Sequence, residues 1–433
     1  MKNIKTCVFA LGMVFLLASC TGNPGGNESS PAPASEPEVN DFTLYDPEDT
    51  SMCTAKVKAY VDAMREQEKN LEDPYKYDDL GGENGVNVEN YLDEGDPEGK
   101  NQTVRNAVPD RSDKNTGIEL KFDVSDEADA VEDTQKKVLI SDNADFTDAK
   151  EIFTTSKSVN VDNLFVNKQY YWKVVYGDKE SKAATFTTGD YPRWISARPM
   201  YNVRDNGGYM TSSGKRVKQG LVYRGGEITT KASSATDHLY TGTDEAKNAF
   251  RNIMGMVGGV ELDLRGASDI FDGYNHCIFA ENDDISYVQY AIKSYEQTFT
   301  NTRNMVAPIF EVLKEADKKP VYYHCFGGAD RTGTLGFLLN GLLGVSYTDL
   351  VIDFELTSYS SINNEHIRCH IPGHQHQYDR WPALINQLKT DTTGGYSYNE
   401  NASLQENIEN FLVKACSVPQ ATIDTIIDIM LED

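Results

Sequence analysis

The residues best suited to chemistry lie in one string, Val321-Tyr322-Tyr323-His324-Cys325-Phe326-Gly327-Gly328-Ala329-Asp330-Arg331-Thr332-Gly333. A run of apolar and aromatic residues ends at a cysteine, five residues follow, and an arginine opens a second apolar run that extends to Leu343. This pattern predicts a buried strand, a tight loop and a buried helix. The glycines allow consecutive backbone N–H groups to turn inward as an anion-binding nest, and a helix N-terminus adds its partial positive charge. Arg331 can offer two parallel donors to a phosphoryl group. The same positive surroundings stabilise a thiolate on Cys325. A free cysteine titrates near about 8.5, and each unit of depression is worth about 1.4 kcal/mol. Nucleophile and phosphate site therefore coincide, with Phe326, Gly327, Gly328, Ala329 and Thr332 forming the cradle. The alternative is a buried structural thiol beside a turn, which gives no reason for a polar, glycine-rich loop.

Cysteine, five residues, arginine is the signature of protein tyrosine phosphatases, here in the extended His-Cys…Arg-Thr-Gly form. Sulfurtransferases and arsenate reductases also cradle anions beside a cysteine, but reproduce the Asp-Arg-Thr-Gly ending less well. Three further strings, Asn202 to Tyr209, Gly220 to Gly226 and Asp263-Leu264-Arg265, resemble in order the landmarks of the atypical bacterial tyrosine/phosphoinositide phosphatases. The resemblance covers about residues 193–433. It implies hydrolysis of a phosphomonoester through a phosphocysteine intermediate with no cofactor, and a general acid at Asp330, just before the arginine. Asp263 is the rival acid, at the end of a strand where active sites of α/β sheets gather. The other reading of Asp263 and Arg265 is an ion pair bracing the loop. His324 is expected to orient the loop, and Arg224 either to support it or to touch substrate. One departure matters: relatives acting on phosphoinositides tend to carry lysine where this chain has Ala329. The missing charge favours phosphotyrosine or another simple monoester over a multiply phosphorylated headgroup. A phosphoinositide or inositol phosphate phosphatase remains the alternative, and a catalytically weak phosphate-binding or adhesion protein a second one.

The elements that must hold these residues are legible in outline. After Tyr191-Pro192, Gly259 to Leu264 and Pro320 to Tyr323 read as strands, Thr302 to Ala316 as a helix with Val306, Ile309, Phe310 and Leu313 on one face, and Ile408 to Leu431 as helical. Residues 193–433 thus predict an α/β domain with a largely parallel central sheet flanked by helices. Before it, residues 106–190 switch to period two, with Ile118, Leu120, Phe122 and Val124 alternating with polar residues. Further strands are expected at Val138 to Ile140, Tyr170 to Tyr176 and Ala184 to Thr188. With Trp172 and Phe186 as core fillers, this segment resembles an all-β sandwich of the fibronectin type III kind and is expected to be a spacer or recognition module.

The remaining N-terminal part reads as an address and a tether. Lys2 and Lys5 precede an apolar run from Val8 to Leu17, and Leu17-Ala18-Ser19-Cys20 resembles a lipobox, so residues 1–20 are expected to be a lipoprotein signal and Cys20 the lipidated residue on a bacterial membrane. Residues 21–105 read as a tether and acidic region with one amphipathic helix, marked by Val57, Tyr60, Val61 and Met64. Glu72 to Lys100 is expected to be solvated linker. The chain has 433 residues and a net charge of −26, which excludes nucleic acid as a partner and requires a local positive site for any anionic substrate. Of seven cysteines, none shows disulfide or zinc-ribbon spacing. His366, Cys369, His370, His374 and His376, near Asp379, could ligate a metal but match no standard spacing, so a polar lid or substrate-facing loop is expected there.

Overall fold

The computed structural model describes residues 41–92, 114–125, 135–231, 240–282, 284–360, 367–371 and 380–432. The signal with Cys20, the stretch 21–40, and His366, His374, His376 and Asp379 lie outside the described residues.

The period-two segment, joined by one strand from before it, forms two antiparallel sheets. One joins β1 (Phe42–Leu44), β2 (Ile118–Val124) and β5 (Ser158–Val161) in the order β1-β2-β5. The other runs β4 (Lys150–Thr154), β3 (Lys136–Ser141), β6 (Gln169–Tyr176), β7 (Lys179–Glu180), with β8 (Ala184–Thr187) also on β6. Ile118, Leu120 and Phe122 from the first sheet and Val138, Ile140, Trp172 and Val174 from the second share one hydrophobic cluster, as alternation along each strand requires. Strands β1, β4 and β5 have no clear sequence signal, because they are short or have mostly solvent-facing side chains.

The C-terminal unit centres on a five-stranded sheet of order β12-β11-β13-β10-β9. Its strands are β9 (Arg204–Asp205), β10 (Val222–Gly225), β11 (Val260–Asp263), β12 (Ser286–Gln289) and β13 (Val321–His324). All pairings are parallel except β9 with β10. In register, Gly225 and Asp263 flank His324, so three carboxyl ends reach the same level around the strand that precedes Cys325. Ligands gather at such strand ends in open α/β sheets. Helices α2 (Asp244–Asn248), α3 (Glu296–Asn301), α4 (Val306–Leu313), α5 (Asp330–Leu342), α6 (Tyr347–Glu355), α7 (Arg380–Thr390), α8 (Leu404–Lys414) and α9 (Gln420–Met430) complete the unit. From Thr332 onward α5 is buried on every side, which explains its continuous apolar sequence. The C-terminal run is two helices rather than one. Ser417 takes a left-handed φ of 60° and Pro419 caps α9, so the chain turns there.

The stretch expected to be tether differs from one: it supplies β1 to the first sheet and, between β1 and β2 in sequence, is packed as far as it is described. Helix α1 (Ala55–Glu68) forms where the periodicity places it, but Val57, Tyr60, Val61 and Met64 are buried in the core of the C-terminal unit. The stretch expected to be solvated linker is also packed as far as it is described, with Leu80 and Val88 fully buried in that core. Its many Asp and Asn residues build turns instead of facing water. Asp73, Asp78 and Asn87 side chains accept the N–H of the residue two further on, at 3.0, 2.7 and 2.9 Å.

Burying Val57, Val61 and Met64 contributes roughly 4–9 kcal/mol at about 1.5–3 kcal/mol each. That equals much of the net stability of a typical domain, about 5–15 kcal/mol. A chain trimmed to residues 193–433 is therefore expected to lose cooperative thermal unfolding, whereas 41–433 retains it. A sharp transition in the trimmed chain by circular dichroism would show that α1 is dispensable.

Candidate active site

The loop between β13 and α5 is held open by its surroundings, one carbonyl at a time. The Cys325 carbonyl faces His324 Nδ1 at 3.1 Å. The Phe326 carbonyl accepts the Tyr201 hydroxyl at 3.0 Å and the Glu227 N–H at 2.9 Å. Asn202 Nδ2 donates to the Gly327 carbonyl at 3.0 Å, and Arg224 Nη2 to the Gly328 carbonyl at 3.1 Å. With the carbonyls drawn outward, the N–H groups of Gly327, Gly328 and Ala329 find no protein acceptor among the described residues and are left for a ligand. Gly328 is dictated twice over. Its φ is +66°, and a Cβ there would sit 2.5 Å from the Gly225 backbone.

The groups behind the loop are buried ions. Arg224 and Arg204 are both fully buried and both pair with Asp353; Arg204 Nε lies 3.3 Å from its carboxylate, and Arg204 also donates to Asn202. Arg224 thus spends its guanidinium on Asp353 and the Gly328 carbonyl, and it does not line the cavity over the loop. His324 is buried between two acceptors, the Cys325 carbonyl and Glu261 Oε1 at 3.0 Å. Burial opposes its charge, yet the negative charge of Asp263 and the bond to Glu261 raise its pKa, consistent with a ring that donates from both nitrogens. Asp263 and Arg265 form the bracing ion pair. Arg265 Nη2 and Nε reach Asp263 Oδ2 at 2.8 and 3.1 Å, Arg265 Nη1 reaches Glu227 at 2.7 Å, and the Tyr287 hydroxyl donates to Asp263 at 2.9 Å. Burial pushes the Asp263 carboxyl up, but His324 and Arg265 more than offset it and the net direction is down. What sets Asp263 apart from Asp330 is position: Asp263 does not line the cavity, and Asp330 does.

A cavity of about 260 Å³ opens over the loop, with Cys325, Asp330 and Arg331 on its floor and Ile292, Lys293 and Gln297 on its wall. That is slightly below the usual range of roughly 300–1,000 Å³ for ligand pockets and suits one substituent of a larger substrate. Arg331 is held at the rim by Asp269, 2.6 Å from Nη1. Asp330 is held by two residues that the sequence did not single out. The Tyr295 hydroxyl donates to Asp330 Oδ1 at 2.5 Å, and Arg368 Nε lies 2.9 Å from the same oxygen. Asp269 and Tyr295 carry no local motif, and they reach the site only because β11 and α3 end beside it. Arg368 sits within the stretch read as a polar lid or substrate-facing loop. Residues 367–371 are instead buried, with His370 Nδ1 on Glu355 at 2.7 Å and Cys369 Sγ near Asn87 Oδ1 at 3.7 Å. Among the described residues no group of three or more His, Cys, Asp or Glu side chains is placed to hold a metal.

Cys325 differs electrostatically from every other described cysteine. Cys53, Cys277, Cys369 and Cys416 are buried and free, and burial pushes their thiols up, to about 12 for Cys53 and Cys416. Burial acts on Cys325 as well, but the Arg331 charge and the Thr332 hydroxyl and N–H outweigh it and bring the thiol below its ordinary value. A buried cysteine whose thiol is lowered thus sits beside an arginine, next to loop N–H groups that have no protein acceptor among the described residues.

No curated protein matches the chain. A model of the tyrosine phosphatase family matches residues 195–432, which is more than half of the chain and contains the sheet, the Cys325 loop and the helices around it. With that match joined to this geometry, the chain belongs to the tyrosine phosphatase family.

Proposed function

We propose that the protein hydrolyses phosphomonoesters through a phosphocysteine, and that its substrate is phosphotyrosine or a comparable ester. The observation that carries this reading is the lowered thiol of Cys325 at the centre of a loop whose carbonyls are all engaged from behind. In the first step Cys325 Sγ forms a bond to phosphorus and the bond to the leaving oxygen breaks. Asp330 passes its proton to that oxygen, while Arg331 and the loop N–H groups carry the phosphoryl charge. In the second step water attacks phosphorus and gives a proton to the Asp330 carboxylate; the S–P bond breaks, freeing phosphate and the thiolate. Every step runs through side chains of this chain, so activity should survive a chelator.

Lys293 favours a second reading of the substrate. It is exposed on the cavity wall and makes no ion pair among the described residues. It supplies from the segment before α3 a positive charge that Ala329 does not, which suits an ester with a second anionic group, such as an inositol phosphate. Rates on phosphotyrosyl peptides and inositol phosphates, for the native chain and Lys293→Ala, separate the two. Loss confined to the inositol phosphates identifies the second class.

The N-terminal sheets fit a fibronectin type III-like spacer, and the Leu17-Ala18-Ser19-Cys20 string a lipid anchor that holds the exported protein on a bacterial membrane. Cys20→Ala should then leave the protein in a soluble extracytoplasmic fraction. Its retention on membranes after a high-salt wash would count against lipidation.

Cys325→Ser is expected to abolish turnover of an aryl phosphate without loss of fold. In Thr332→Ala the pH midpoint for alkylation of Cys325 should rise toward the ordinary value near 8.5, because one stabilising donor is gone. Turnover by Cys325→Ser, or an unmoved midpoint in Thr332→Ala, contradicts this account of the nucleophile.

Asp330→Asn should slow esters of poor leaving groups by about 10²–10⁴-fold and activated aryl phosphates far less, since positioned acids typically contribute that much. Its pH–rate profile should also lose the basic limb. If Asp263→Asn loses that limb instead, the two aspartates exchange roles.

A further inference from the structure

Asp330 occupies an awkward place for an acid. It is the first residue of α5, directly before Arg331, and its neighbours in space include the Cys325 thiolate as well. A carboxylate left to itself there would swing onto Arg331 and compete with the phosphate for its guanidinium.

The structure prevents that swing. Arg368 Nε and Nη2 both donate to Asp330 Oδ1, and Nε also lies 3.1 Å from the Tyr295 hydroxyl. Because that hydroxyl accepts from Arg368, its own hydrogen is directed at Asp330 Oδ1, 2.5 Å away. Donors from two separate elements thus converge on one carboxylate oxygen. Arg331 is meanwhile occupied from the other side by Asp269.

Arg368 itself has little freedom. It is fully buried, whereas the Asp330 side chain is 29% exposed toward the cavity. The Arg368 backbone closes on one hydroxyl, its N–H donating to Ser358 Oγ at 2.8 Å and its carbonyl accepting from that Oγ at 3.0 Å. Two residues on, His370 N–H and Nδ1 meet Glu355 Oε1 at 2.5 and 2.7 Å. A buried arginine clamped in this way is costly unless its partner is fixed as well.

Taking Asp330 as the acid of the preceding section, we propose that Arg368, with Tyr295, is a positioning residue that locks the Asp330 carboxylate in one orientation over the cavity and keeps it off Arg331. Among the described residues, the charged and titratable groups around Asp330 include Cys325 and Arg331 from its own loop, Tyr295 from the turn before α3 and Arg368 from residues 367–371, with Lys293 and Asp269 lining the same cavity. Arg368 acts on the reaction only through the carboxylate it holds.

The test uses the full-length protein and a series of aryl phosphates of graded leaving-group pKa, with pH–rate profiles for each variant. Arg368→Gln is expected to lower rates on the poorest leaving groups by about tenfold to a hundredfold, part of what a positioned acid supplies, and to leave activated esters within a few-fold. The basic limb of its profile should move to higher pH, since the ionised carboxylate has lost its cation. Arg368→Lys, which keeps the charge, should restore the limb but only part of the rate. In an Asp330→Asn background the same Arg368→Gln change should alter rates by no more than about twofold, because the carboxylate through which it acts is gone. This double variant also removes both charges and guards against misfolding of the single one.

Equal losses across the whole ester series in Arg368→Gln, an unmoved basic limb, or full additivity with Asp330→Asn would each overturn the role of Arg368. A normal leaving-group dependence in Asp330→Asn would instead overturn Asp330 as the acid, which keeps the two failures distinct.

Discussion

The site depends on carbonyl groups being turned away from it. A loop of five residues between strand and helix has no ladder to satisfy its backbone, and buried carbonyls without partners would each cost about 1–3 kcal/mol. Tyr201, Asn202, Arg224, His324 and the Glu227 N–H meet those of Cys325 to Gly328 from behind, and the inward N–H groups follow as a consequence. Asp353 is central to this arrangement because its one carboxylate pairs with both Arg224 and Arg204. Breaking a buried pair typically costs about 3–5 kcal/mol. The buried charge of Arg204, Arg224 and Asp353 therefore serves to shape a loop, although by composition it could be mistaken for substrate-binding charge.

The same preorganisation explains how an acidic protein handles an anion. With a net charge of −26 the surface as a whole repels phosphate. Attraction has to be local, short in range and partly shielded from water, where the effective dielectric is lower. Arg331, Lys293, the loop amides and the start of α5 supply it within one cavity, and Asp269 holds Arg331 at its edge. Burial alone would raise the Cys325 thiol, as it raises the other four described thiols. The donors around Cys325 reverse the sign.

How much could be read beforehand follows from whether the information was local. The string from Val321 to Gly333 carries strand, loop and helix in adjacent residues, so Cys325, Asp330 and Arg331 were legible as a unit, as was the period-two signal of β2. Arg368, Tyr295 and Asp269 were not, because each reaches the loop from a distant element through side-chain contacts that leave no spacing pattern. The stretch Glu72 to Lys100 misled for another reason. Its composition matches solvated linker, but Asp73, Asp78 and Asn87 are turn formers in the described part, and Leu80 and Val88, with Val86, Tyr91 and Leu92 packed beside them, anchor it to the core. Composition counts polar side chains without revealing whether water or the backbone satisfies them.

That misreading bears on where the functional unit begins. The family match starts at residue 195, yet the core around the site includes α1, which lies well before it. The Tyr60 hydroxyl donates to Glu355 Oε2, while Glu355 Oε1 holds the backbone and ring of His370, two residues from Arg368. A continuous set of buried contacts thus joins a helix outside the matched region to the carboxylate beside Arg331. Arg65 on the same helix pairs with Asp349 of α6 at 3.0 Å, and the buried Arg216 meets Asp190 at 2.7 Å, so the junction between the β-sheets and the C-terminal unit is charged as well as apolar. Rigid contact of this kind transmits displacement, because packed interiors move as discrete arrangements and do not deform smoothly. The N-terminal helix is in physical terms a component of the catalytic unit, and the boundary of the family is not the boundary of the fold that makes the site work.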